Sequence, residues 1–167
     1  MKTIKPVSVA LNWLYPIMVG LLLLDNLTPF DIKSQPLKTF VFEGLLFATP
    51  VILIFNATVL KGRQQLAGLA LPVLMLAVIL IFGPMKLSWA SGAWHTETIL
   101  YKKRNSSFQK VEFQMQDVGA LGYNRRTVKV FYLTPFFIIT SAVPNGIEND
   151  PAWENVNEDV NELQLKW

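Results

Sequence analysis

The chain has no cysteine, and that absence removes disulfides, thiolate nucleophiles, iron–sulfur clusters and thiolate zinc sites together. It has a single histidine, His95, so a histidine-rich metal site within one copy is excluded as well. Charge is also scarce. Only 16% of residues are Asp, Glu, Lys or Arg, well below the quarter or so usual in soluble domains. The nucleophile elbow G-x-S-x-G and the zinc-protease spacing H-E-x-x-H do not occur, and no paired-carboxylate constellation stands out. Gly119-Ala120-Leu121-Gly122-Tyr123 looks like a phosphate loop but lacks the Lys-Ser/Thr and precedes a strand pattern, so a turn or bulge is expected. His95 has no nucleophile or ligand partner nearby in sequence and reads as a hydrogen-bonded residue near lipid headgroups. The chain is therefore expected to be no enzyme and to hold no cofactor and no metal.

What the chain does have is long apolar runs. Hydrophobic residues make up 51% of it, concentrated before Trp89. Three runs stand out: about 7–24, 39–60 and 66–87. A helix needs roughly 20 apolar residues to cross about 30 Å of hydrocarbon. The second and third runs meet that length; the first is marginal. Lys2 and Lys5 before the first run raise the alternative of a signal peptide, but no A-x-A cleavage pattern follows the leucines Leu21 to Leu24. Each run contains one proline, Pro16, Pro50 and Pro72, tolerated in spans and read as a packing kink. The expected fold is thus membrane α-helical, with three transmembrane helices in 1–90, followed by a small antiparallel β domain and a C-terminal amphipathic helix.

Alternation of three spans puts Asp25, Glu43, Lys86, the 25–38 loop and everything after Trp89 on one side of the membrane. Glu43 falls four residues inside the second run, about 6 Å deep, and Lys86 is its expected ion-pair partner. The charges near the spans favour a cytoplasmic N-terminus (Lys2, Lys5, Lys61, Arg63) over the opposite side (Lys33, Lys38, Lys86), so the C-terminal domain is expected to be extracytoplasmic. A bacterial cell or inner membrane is the expected location. The triplets Asn26-Leu27-Thr28 and Asn105-Ser106-Ser107 match the glycosylation signal, which matters only in a eukaryotic lumen.

After Trp94 the period changes. Val111, Phe113 and Met115 alternate with Lys110, Glu112, Gln114 and Gln116, the pattern of a strand with one buried face. Thr96–Tyr101, Thr127–Leu133 and Phe136–Thr140 read as further strands, separated by turn signals. A four-stranded meander over 91–143 follows, with 128–143 as a re-entrant membrane segment in the alternative. Residues 86–143 hold eight basic and three acidic side chains, whereas 144–167 hold one basic and six acidic. In that acidic tail, Trp153, Val156, Val160, Leu163 and Trp167 share one face at helical spacing, after Asp150-Pro151 as a start signal.

Strand order assigns the basic residues. Arg125 and Arg126, with Trp89 and Trp94, are expected at lipid headgroups. Lys102, Lys103 and Arg104 occupy the distal turn and suit an acidic partner or the chain's own tail, whose docking face is Trp153, Val156, Val160 and Leu163. Basic residues near Phe108 and Tyr123 are too few to imply nucleic acid. The expected partners are membrane lipids and a protein partner or further copies of the chain. Together these features point to an accessory or scaffold subunit. Competing classes are an oligomeric channel protomer lined by Glu43 and Asn56, an envelope sensor with a ligand-binding β domain, and last a membrane enzyme using Asp117, Arg125 and Arg126.

Overall fold

The computed structural model describes residues 4–165, with side chains from Asn12 onward. Lys2 and Trp167 lie outside the described residues, as does the side chain of Lys5. The chain forms two compact units. One comprises residues 1–23 and 39–91; the other comprises residues 24–38 and 92–167.

The first unit is helical. Helix α1 runs Ile4–Leu27, α2 Gln35–Val59, α3 Arg63–Phe82 and the short α4 Pro84–Trp89. The last turn of α1 and the first of α2 belong to the second unit. Helices α2 and α3 are long and apolar enough to cross a membrane. The third apolar run is not one continuous helix. At Gly83, φ is 85°, a conformation natural to glycine, and Pro84 then opens α4 at its first helical position. Lys86 therefore sits on α4 and not on α3.

Helix contacts in this unit use small and polar residues. A side chain at Gly44 would meet the Met18 methyl at 2.7 Å, and one at Gly68 would meet Leu60 at 2.7 Å, so both glycines mark close approach. Tyr15 and Thr49 hydroxyls are 2.9 Å apart. Asn56 Nδ2 donates to Gly68 O at 2.8 Å and to Asn12 Oδ1 at 3.2 Å, linking α1, α2 and α3. Large apolar side chains face outward, among them Phe47, Ile54 and Ile81 at 69%, 67% and 75% exposure.

The second unit is an antiparallel sheet of six strands in the order β1-β5-β4-β3-β2-β6. They are β1 Phe30–Ile32, β2 Trp94–Lys103, β3 Ser106–Asp117, β4 Tyr123–Tyr132, β5 Phe137–Ser141 and β6 Trp153–Asp159. Strands β2 to β5 are consecutive neighbours, each formed where β-branched and aromatic residues cluster. The sheet has six strands where four were expected, with β1 and β6 added at its two edges. The 128–143 segment lies in the sheet as the end of β4 and all of β5.

The acidic tail is the clearest correction. Instead of an amphipathic helix, Trp153–Asp159 forms β6, paired antiparallel to β2 from Trp153 opposite Lys103 to Asp159 opposite Thr98. Two physical reasons favour the strand. Asn155, Val156, Asn157 and Val160 are poor helix formers, and the outer edge of β2 offers a row of backbone groups that a strand satisfies. Trp153 packs with Val111 and Ile147 in an apolar cluster that also takes Leu100, Tyr101 and Val143. Val156 and Leu163 are half-buried and Val160 is exposed, so the helical face does not exist as a docking stripe.

Candidate functional site

Strand β3 alternates as its sequence requires, but both of its faces are covered. Val111 and Met115 are fully buried on one side, and so are Glu112 and Gln114 on the other. The polar face was expected to meet water. Buried polar groups are tolerated only when hydrogen-bonded, and here they join a network supplied by the Leu24–Lys38 segment and the residues after β6.

The network starts at Asp25, whose carboxylate accepts from Lys38 at 2.9 Å and from the Ile32 amide at 2.7 Å. Lys38 Nζ also reaches Asp31 at 3.5 Å, and Asp31 in turn accepts from Arg126 Nη2 at 2.5 Å. Register explains the meeting. Arg126 lies directly opposite Gln114, whose side-chain oxygen accepts from Arg126 Nε at 2.9 Å. Gln114 then donates to Glu112 at 2.8 Å, and Glu112 also accepts from Thr96 at 2.8 Å and from the Tyr132 hydroxyl at 2.8 Å. Thr96 connects onward, accepting from Lys33 Nζ at 2.6 Å, while Lys33 pairs with Glu162 at 2.7 Å.

A register shift between Thr96 and Thr98 marks a bulge at Glu97, where the chain after β6 attaches. Val160 and Asn161 amides donate to Glu97 O at 2.9 and 3.0 Å, and the Thr96 amide donates to Glu162 at 2.7 Å. Burial, reinforced by the Glu112 carboxylate, holds the Tyr132 phenol far above its ordinary pKa. Burial lowers the pKa of His95, with Lys33 acting in the same direction and Glu162 against it. His95 Nδ1 is 3.9 Å from Glu162, too far for a hydrogen bond.

Beside this network an open groove of about 860 Å³ is lined by Lys33, Lys110, His95, Tyr132, Phe108 and Phe136, among others. The Lys110 ammonium stands 5.2 Å from the centre of the Tyr132 ring. Among its lining residues Phe108, Leu133 and Phe136 are 59%, 46% and 54% exposed. The groove therefore sets the Lys110 ammonium near exposed Phe108, Leu133 and Phe136, while the Lys33 ammonium is already paired with Glu162. Chemically it suits a ligand with an acidic group and an apolar anchor. Among the described residues no group of three or more His, Asp or Glu side chains is arranged to hold a metal ion.

The residues singled out from sequence are placed as follows. Glu43 is half-buried on α2; Lys86 is exposed and lies 5.3 Å from the Phe82 ring centre. Among the described residues the two form no ion pair. Arg125 is exposed, but Arg126 is engaged by Asp31 and stacks 4.1 Å from the Trp94 ring centre, so Arg126 and Trp94 serve each other inside the sheet unit. Trp89 is exposed on α4. Lys102 pairs with Glu158 of β6, Lys103 donates to Gln109 at 3.0 Å, and Arg104 is exposed with its amide bonded to Ala152 O. Sequence reasoning missed Asp31, Lys33, Lys38, Glu112, Gln114 and Glu162. A signal was present: four charged residues, Asp25, Asp31, Lys33 and Lys38, crowd into the short segment between two apolar runs. No protein-family model matches the chain, and neither a curated protein nor a solved structure matches it at a significant level.

Proposed function

We propose that this chain is an integral membrane protein with three spans, acting as a non-enzymatic accessory or scaffold subunit whose β domain docks a protein partner. The membrane part is supported by inverted polarity in the helical unit. Tyr15, Thr49 and Asn56 are buried, while apolar side chains face outward on all three long helices. Helix α1 joins the other two as a span because its 24 residues suffice in length and its polar groups bond to α2. The orientation drawn from the lysines and arginines puts the β domain outside the cytoplasm, at the surface of a bacterial cell or inner membrane.

The observation that carries the docking role is the set of exposed apolar side chains lining the groove. The unit satisfies its own buried polar groups internally, yet leaves Phe108, Leu133 and Phe136 outward beside Lys110. Exposed aromatics rimmed by polar groups mark interaction sites. The occupant that fits is an extended segment of a partner carrying an acidic and an apolar side chain, the acid on Lys110 and the apolar group among the aromatics. A ligand-sensing role is the second reading, favoured by a groove volume within the range of small-molecule sites, about 300–1,000 Å³. The channel reading loses support, since Asn56 is occupied by Asn12 and Gly68.

Purification from the native membrane in mild detergent tests the docking role. A stoichiometric partner is expected with the unaltered chain, lost in Phe108→Ser/Phe136→Ser and retained in Leu121→Ser. A strictly monomeric, partner-free particle, or a partner indifferent to the groove variant, sinks it.

A further inference from the structure

The connection between β3 and β4 presents an uncharged tip, Val118 to Gly122, between Asp117 and Tyr123. Leu121 near its apex is 80% exposed, Tyr123 is 40% exposed, and Arg125 is exposed beside them. The tip is held by its own bonds. Asp117 Oδ1 accepts from the Gly119 amide at 2.7 Å, and the Val118 amide donates to Gly122 O at 3.0 Å. Gly119 and Gly122 have φ of 67° and 92°, which L side chains rarely adopt, so the turn is shaped by its glycines. A single exposed leucine needs no explanation, but here Ala120, Leu121 and Tyr123 are exposed together on one uncharged turn.

Connectivity and register say where this tip lies in the chain's own frame. Trp94 pairs with Gln116, so the tip is at the end of the sheet where β2 begins. Strand β2 begins five residues after Trp89, at most about 18 Å of extended chain. Helix α4 follows α3 directly across Gly83. Along the chain, α3 is followed by α4, and only residues 90–93 separate α4 from this end of β2.

Resting on the reading that α3 spans the bilayer, we propose that the β3–β4 turn is a second membrane contact. Leu121 enters the interfacial layer, Tyr123 lies at headgroup level, and Arg125 binds anionic lipid phosphate. This combination of an apolar tip, an amphipathic aromatic and a cation is what an interface recognises. Arg126 has no part in it, because Asp31 and Trp94 already hold its guanidinium.

A chain without cysteine accepts single spin labels cleanly. Full-length protein in phosphatidylcholine vesicles, with and without phosphatidylglycerol, would carry a label at Ala120→Cys, Asn105→Cys or Leu80→Cys. Collisional accessibility to oxygen and to an aqueous nickel chelate then reports depth. The label at position 120 is expected to be oxygen-accessible and nickel-protected relative to the one at 105, at the opposite turn. Adding Leu121→Ser should return it to the aqueous value. Arg125→Gln should lower the lipid-engaged to free ratio about fivefold, and only with phosphatidylglycerol present. If the labels at 120 and 105 behave alike, or Leu121→Ser changes nothing, the turn is no membrane contact. The label at position 80 separates the two claims: a hydrocarbon reading there leaves the spans standing, whereas a water reading overturns the spans and this contact together.

Discussion

The two units of this molecule treat their polar side chains in different ways. In the helical unit Tyr15, Thr49 and Asn56 are turned inward while large apolar side chains such as Phe47, Ile54 and Ile81 face out. The sheet unit keeps an apolar cluster around Val111 and Trp153 on one face and buries a charged network on the other. On the membrane reading proposed above, the two patterns answer to two different solvents. In hydrocarbon, apolar contact between helices gains little, so small residues and a few hydrogen bonds fix the packing. In water, a charged group leaves the surface only if several partners replace its hydration. Asp31 shows that second regime, accepting from Lys38 and Arg126 at once.

The sharpest way to break this comparison is to remove Asp31. Asp31→Ala strips Arg126 of its carboxylate partner and removes one of the two carboxylates beside Lys38. The loss expected is about 3 kcal/mol, the low end for breaking a buried pair, because Arg126 keeps some water and the Trp94 ring. Urea unfolding of the sheet unit in detergent-solubilised protein, followed by tryptophan fluorescence, measures it. A cost under about 1 kcal/mol would put the network in the class of weak surface pairs.

Asn56→Leu asks the matching question of the helices. It removes the bonds to Gly68 O and Asn12 and leaves a side chain of comparable size. In a bilayer such polar contacts are worth only about 0.6–1.7 kcal/mol, since the separated helices also find partners. Steric trapping of unfolding in bicelles should therefore give a smaller loss than Asp31→Ala. A loss of 3 kcal/mol or more would mean that Asn56 is buried as in a water-soluble core.

Much of this division was legible in the residues, and the failures are specific. Apolar runs located the helices, because hydrophobicity over some 20 residues is a strong signal. Strand β3 was legible from period-2 alternation, β4 and β5 from β-branched and aromatic content, and turn residues separated them. What periodicity could not show was pairing at a distance. Strand β1 is three residues long and carries no pattern of its own; it pairs with β5, and its Asp31 meets Arg126, 95 positions away. The spacing of Trp153, Val156 and Val160 satisfied a helix template, yet an open edge on β2 decided the outcome. Alternation likewise marked Glu112 and Gln114 as solvent-facing, although the segments that cover them come from residues 24–38 and 160–165. The groove joins residues from five separate stretches of chain, so no local motif announces it.

The smallest expected effect concerns His95, which tests the wet side of the comparison. Burial lowers its pKa in the folded state below the ordinary value of about 6.5. The unfolded chain therefore binds this proton more readily than the fold does as pH drops. Stability contributed by neutral His95 is complete above about pH 6.5 and declines as pH falls through that value. Glu162 opposes the shift from 3.9 Å and the imidazole retains some solvent, so the slope should be shallow. Unfolding free energies of the unaltered chain and of His95→Gln, compared between pH 7.5 and 5.5, isolate it. The unaltered chain should lose more stability than the variant over that interval, and the reverse ordering would mean that Glu162 holds a protonated His95 in the fold.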